Sequence, residues 1–160
     1  MHSRIFQVAT VPVDKEDYIS ESDFCEHWFV ESIADYVSSG NNRTEDIKHL
    51  RDWLEPNKVA AFDEKGGSFT VLPGGKEAYF AQAYKAFVAA RAKTHAMGLP
   101  EFSSASAFAG EMWRMSNAFC DKFSYYVSSD EFETIPLDEF IRAAEPGTRY
   151  FIGGTLDYHF

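Results

Sequence analysis

Between Ser20 and Val37 the chain reads SESDFCEHWFVESIADYV, and no other stretch limits the fold as strongly. Phe24, Cys25, Trp28, Phe29, Ile33 and Tyr36 recur at helical spacing and predict a broad apolar stripe. Asp23, His27, Glu31 and Asp35 follow at intervals of four, which on a helix stacks them on one face. The expectation is one helix with Phe24, Trp28, Phe29 and Ile33 in the core and an acidic outer surface. Ser20 opens it with Asp23 near a capping-box position, and Ser38-Ser39-Gly40 closes it.

A chain of 160 residues is one ordinary domain, 1–160, long enough to bury a core without staples. Fifteen Phe, eight Tyr and three Trp argue against disorder. The formal charge of −10 opposes direct nucleic-acid binding, which needs clustered Lys and Arg, and it fits either a chain that the charge simply keeps soluble or one that seeks a basic partner. Residues 1–40 carry a net −6, residues 41–100 a net +2 and residues 101–160 a net −6. Cys25 and Cys120 are expected as buried thiols, since two cysteines without a C-x-x-C motif make no disulfide scaffold. With no basic-then-apolar leader and no apolar run near 18 residues, a cytoplasmic location and no membrane partner are expected.

The rest of the chain alternates strand and helix signals. Residues 3–11 read as a strand closed by Pro12, and Asn42 caps a helix whose stripe is Ile47, Leu50 and Leu54. Residues 58–72 read as a hairpin, and Lys76 to Met97 as the longest helix, stopped by Gly98-Leu99-Pro100. Ser103, Ser104 and Ser106 offer caps for a helix carrying Phe108, Met112, Met115 and Phe119. Phe123 to Val127 reads as a strand, Ser128 to Glu133 as an acidic connection, and Pro136 starts a short helix through Ala144. Arg149 to Phe160 is a last strand or strand pair, with Gly153-Gly154 as a bulge or bend. About five helices and about five strands in this order indicate an α+β fold with a mainly antiparallel sheet, the two terminal strands pairing near its centre.

Motifs for chemistry are sparse. Gly74-Gly75-Lys76 precedes a helix but completes no phosphate loop, and reads as a turn and cap. His27 between Asp23 and Glu31 could ligate a divalent ion, but a solvated acidic face gives the same pattern. Cys25 and His27 are two residues apart and cannot pair on a helix. Among the carboxylates Asp130, Glu131, Glu133, Asp138, Glu139, Glu145 and Asp157, acid–base work would need one desolvated, and runs such as Asp130-Glu131 read as solvated loops; the bases Lys85, Arg91, Lys93 and His95 suit a helix C-terminus. No catalytic residue, metal or cofactor is expected.

Three blocks, MHSRIFQV, DYISESDFCEHWFVESIADYVSS and YFIGGTLDYHF, with Arg43 to Leu54, resemble a family of small acidic proteins from bacterial mobile elements. That resemblance carries over no catalytic residue. It implies a context in which such proteins inhibit host defence, as anti-CRISPR or antirestriction proteins do, by presenting carboxylates to a basic nucleic-acid groove. The leading expectation is therefore a non-enzymatic acidic inhibitor that blocks a basic site of a nucleic-acid-binding effector. Its partner-binding residues would be Asp23, Glu26, Glu31, Asp35, Asp130, Glu131 and Glu133. The alternatives are a small enzyme or metal domain centred on His27 and carboxylates, and a homo-oligomeric accessory protein.

Overall fold

The structure, a computed structural model, describes residues 1–39, 42–129 and 133–160. Its axis is the antiparallel pair of β1 (His2–Ala9) and β7 (Arg149–His159). Both strands are rich in β-branched and aromatic residues, and both are buried on two faces for much of their length. His2 pairs with His159, Arg4 with Asp157 and Phe6 with Thr155, and the register then shifts so that Val8 meets Ile152. Gln7 thus faces both Gly153 and Gly154, the bulge expected at the paired glycines. The reason is contact: the Gln7 amide oxygen accepts from the Gly154 and Ile19 N–H groups at 2.8 and 3.1 Å, which leaves no room for a Cβ.

The other edge of β7 is divided. β4 (Ser68–Val71) pairs with residues 149–151 and carries β3 (Ala60–Phe62) outside it, while β2 (Tyr36–Ser39) pairs with residues 156–159. In the gap between them Arg43 donates to the carbonyls of Ile152 and Gly153, both at 2.6 Å, so a side chain supplies the missing ladder bonds. Beyond β1 lie β5 (Tyr126–Ser129), parallel to it, and β6 (Glu133–Pro136) at the edge. The fold is α+β with a seven-stranded, mostly antiparallel sheet, more strands than the sequence suggested. The extra ones are β2 and β6, and β5 lies later than the expected Phe123–Val127, because Phe123 leaves the sheet to stack on Phe160.

One sheet face is covered by α2 (Arg43–Leu54) and α6 (Leu137–Ala143), whose Ile47, Leu50, Leu54, Phe140 and Ile141 meet Phe6, Val8, Phe69 and Ile152. Asn42 caps α2 as expected, accepting from the Glu45 N–H at 3.2 Å. The opposite face is covered by residues 18–37, and here the single helix is overturned. Glu21–Phe24 is one 3-10 turn, α1 (Phe29–Ser32) is a broken turn, and Tyr36 onward joins the sheet as β2. Val30 is extended and Glu31 sits at φ 77. Phe24 and Phe29, five residues apart, would point about 140° apart on a helix. Breaking the helix lets both reach the ring cluster, where Phe29 lies 4.7 Å from Tyr126 and 5.1 Å from Tyr158. The unpaired edge of β7 then recruits residues 36–39. Trp28, expected in the core, is 49% exposed; Ile33 is half-buried, Cys25 is exposed and Cys120 half-buried.

α3 (Gly75–Ala96), α4 (Leu99–Ser104) and α5 (Ser106–Phe119) form a helical hairpin that packs mainly on itself. Of the alternative starts offered by Ser103, Ser104 and Ser106, α5 uses the last, since Ala105, at φ 62, separates it from α4. Among the described residues the hairpin is joined at its base to α6. Tyr79 donates to Asp138 at 2.6 Å, Lys76 donates to the Arg142 carbonyl at 2.8 Å, and the Arg142 guanidinium lies between the rings of Phe80 and Phe119. Gly75 sets the start of α3 directly on the end of the 54–59 turn, where an added Cβ would sit 2.2 Å from the Val59 carbonyl oxygen. That oxygen accepts from Leu72 N–H and cannot retreat freely. Gly75→Ala should therefore lower stability by about 1–3 kcal/mol through overpacking, read from the urea unfolding midpoint. An unchanged midpoint would refute this contact.

Candidate functional site

The residues proposed for partner binding fall into two groups that the fold keeps apart. Asp23, Glu26, Glu31 and Asp35 lie in the layer over one sheet face, beside β2. Glu133 opens β6, on the opposite edge and toward the other end of the sheet. Four strand spacings, roughly 19 Å, separate β2 from β6. Asp130 and Glu131 lie outside the described residues.

Within the first group the carboxylates are not equivalent. Asp23 is committed to local structure: its Oδ2 accepts from the Ser20 N–H at 2.7 Å and the Ser20 hydroxyl at 3.1 Å. Asp35 pairs with His159 Nδ1 at 2.9 Å yet stays 72% exposed. Glu26 and Glu31 are exposed. Since the segment is not a helix, these groups do not stack on one helical face. They rim two neighbouring depressions that share Cys25 and Val30. One, of about 250 Å³, lies between Glu21 and Asp35 with Tyr36 at its side; the other, of about 370 Å³, lies between Glu26 and Glu31 with Trp28 at its side. The whole layer from Asp14 to Val37 carries eight acids against one lysine, and all eight acids are exposed. Each depression thus places two carboxylates beside an exposed aromatic ring, an arrangement able to take up a Lys or Arg side chain.

His27 is occupied otherwise. Its Nδ1 accepts from the Phe29 N–H at 3.2 Å, and its ring lies between Phe24 and Trp28. Among the described residues no group of three or more His, Cys, Asp or Glu is arranged to hold a metal ion. Burial, then the charges of Asp138 and Glu139, push the Cys120 thiol up, so this cysteine holds its proton more firmly than a free thiol. The Tyr79 phenol is pushed far above its usual range by burial and by the Asp138 carboxylate it touches.

One cluster escaped the sequence reading. At the end of the sheet Arg4 Nε donates to Asp46 Oδ1 at 2.6 Å and Nη1 donates to Asp157, while the Thr155 hydroxyl donates to Asp46 Oδ2 at 2.8 Å. His2 Nδ1 stands 2.7 Å from Asp157, and His2 packs edge-on against His159. Burial opposes the Arg4 charge, but hydrogen bonding to Asp46 and the charges of Asp46 and Asp157 outweigh it and raise its pKa. Alternation puts His2 and Arg4 on one face of β1, and Thr155, Asp157 and His159 on one face of β7; that much was visible in the sequence. What joined them, the register of two strands about 150 residues apart, was not. The cluster ties α2 to the central strand pair.

No protein-family model, no curated protein and no solved structure matches the chain.

Removing Asp46, whose side chain is 6% exposed, would leave Arg4 with Asp157 alone and Thr155 without its acceptor. Asp46→Ala should cost about 2–3 kcal/mol, below the full value for a buried pair because Arg4 keeps one partner and some solvent. Asp35→Ala, at the exposed pair with His159, should cost less than about 1 kcal/mol. Chemical unfolding of the two variants checks both, and equal losses would contradict the contrast.

Proposed function

We propose that the chain is a non-enzymatic interaction protein whose acidic layer docks on a basic site of a protein that normally binds nucleic acid, blocking that site. The observation that carries this reading is the pair of adjoining depressions, each flanked by two exposed carboxylates and an aromatic side chain. Such depressions suit the Lys and Arg side chains of a nucleic-acid groove. Trp28 and Tyr36, 49% and 48% exposed among the acids, supply the apolar anchors that charge alone lacks. The excess of acid over the whole chain would steer encounter with a basic partner. In the mobile-element context that the sequence resembles, the partner would be a host-defence effector of the kind that anti-CRISPR or antirestriction proteins inhibit.

The docking residues are Glu26, Glu31 and Asp35, with Trp28 and Tyr36. Asp23 is left out because its carboxylate holds the Ser20 turn, and Glu133 because it lies on the far edge of the sheet. No helix among the described residues is long and apolar enough to cross a membrane.

The immobilised protein should retain nucleic-acid-binding proteins from a cell lysate at low salt, release them at high salt, and lose them to competing DNA or RNA. Simultaneous Glu26→Lys, Glu31→Lys and Asp35→Lys should reduce retention at least tenfold, with the circular dichroism and unfolding midpoint preserved. Retention that survives this triple reversal, or that competing nucleic acid leaves untouched, would sink the reading.

A further inference from the structure

The helical hairpin leaves one long side without cover, and that side is self-complementary. On α3 the residues Glu77, Tyr84 and Arg91 are spaced by seven, so they lie along one stripe of the helix. All three are exposed, Tyr84 by 64%. Phe80, Ala81, Phe87 and Val88 fall within about 60° of the same line at 100° per residue. The stripe adjoins an apolar groove of about 340 Å³ between α3 and α5, walled by Phe80, Tyr84 and Phe87 on one helix and by Phe119 on the other. Phe119 is itself 63% exposed. Among the described residues neither Glu77 nor Arg91 has an ion-pair partner within the chain.

The order of these residues about Tyr84 decides what would cover them. Let two copies of α3 lie antiparallel across a two-fold axis through Tyr84. Each residue a given number of places before Tyr84 then stands level with the residue the same number of places after it on the other copy, and directly opposite it where both lie near the centre line. Glu77 faces Arg91, an acid against a base, and this occurs twice. Phe80 shares a level with Val88, and Ala81 with Phe87, but on opposite sides of the seam, so Phe80 packs against Phe87 of the other copy along one side and Ala81 against Val88 along the other. Tyr84 meets its own copy at the axis. An isologous contact needs this kind of self-complementarity, since the same patch serves both subunits. The size also suits a modest interface: centred on Tyr84, the two copies of α3 overlap over residues 75–93, roughly 28 Å, and two helices side by side are about 20 Å wide. That gives on the order of 560 Å² per copy, about 1,100 Å² in total, just past the ~1,000 Å² that a specific interface should clear.

We propose that the chain forms a two-fold homodimer through α3, centred on Tyr84, with α5 flanking it, so that two hairpins complete a four-helix bundle. The acidic layer over the opposite side of the sheet takes no part, so the proposal stands independently of the docking function.

Sedimentation velocity and equilibrium of the whole chain should show a concentration-dependent monomer–dimer system. Arg91→Glu and Glu77→Arg, each placing like charges across the axis twice, should each weaken the dimer at least tenfold. The double variant Glu77→Arg/Arg91→Glu should bring the dimer back to within about threefold of the original, because the opposite charges again face one another. Tyr84→Asp should give a monomer. The four variants change only Glu77, Tyr84 and Arg91, all exposed, and circular dichroism should confirm that the variants stay folded. A chain that is monomeric over the accessible concentrations would overturn the proposal, as would a dimer indifferent to the single reversals or not restored by the double one. A monomer whose groove takes up an apolar dye would assign that side to a different occupant and overturn it equally.

Discussion

The pairing of β1 with β7 is the interaction on which the rest of the protein rests. It joins segments about 150 residues apart, so its loop-closure cost is met only when the intervening chain is also placed. Every sheet strand except β3 and β6 is hydrogen-bonded directly to one of these two. The two apolar clusters share them as well: Phe6, Val8 and Ile152 face one layer, while Ile5, Leu156 and Tyr158 face the other. The Gly153-Gly154 bulge lets both requirements hold along a single strand. It changes register at Gln7, and the Gln7 amide then anchors the 17–19 segment to the sheet through Ile19 N–H and the Asp17 carbonyl. Arg43 holds the same strand from the other edge. A strand that is central, bulged and bordered by two partial neighbours explains why short elements such as β2 and β4 suffice.

Charge is distributed by layer. The cover over one sheet face is almost wholly acidic, whereas residues 76–122, which span the hairpin, carry six bases against four acids. Inside, charge is used sparingly: Arg4 stands between Asp46 and Asp157, Glu111 beside Arg114 and Lys93, and buried Asp138 is held by neutral donors, the Tyr79 hydroxyl and the Asp121 N–H. The acidic layer is irregular, short in hydrogen-bonded structure and held mainly by Phe24, Phe29 and Ala34. A layer of this kind can display carboxylates at spacings that no helix or strand would give. The hairpin does the reverse, presenting side chains at strict helical intervals. The two surfaces therefore differ in kind, one a set of irregularly spaced carboxylates and the other a set of regular helical rows.

Much of the architecture was legible in local pattern. The apolar stripe of α2 with its Asn42 cap, the 58–72 hairpin, the Ala-rich α3 and its stop at Gly98, the Pro136 start of α6 and the bulge at Gly153-Gly154 all depend on residues within a few places of one another. Backbone sterics and short-range hydrogen bonds set such features wherever the segment lies. The acidic character of the 14–37 layer belongs to the same class, since solvation keeps unpaired carboxylates outside.

Tertiary structure decided the shape of that layer. Read alone, residues 20–37 favour a helix, and only the presence of Tyr126 and Tyr158 beneath them makes it better to bury Phe24 and Phe29 together. Only the open edge of β7 turns Tyr36–Ser39 into a strand. Helical periodicity was therefore a true record of which residues are apolar and a poor guide to which of them share a face; Trp28 and Tyr36 stand in solvent as a result. Likewise the sequence places Asp35 near Glu31 and Glu133 near Glu131 along the chain, but the strand order sets the first pair and Glu133 on opposite edges. Composition and local spacing determined that this chain is a single α+β domain with an acidic exterior. Long-range strand pairing determined which acids stand together, because a sheet's register is chosen by residues that the linear sequence keeps far apart.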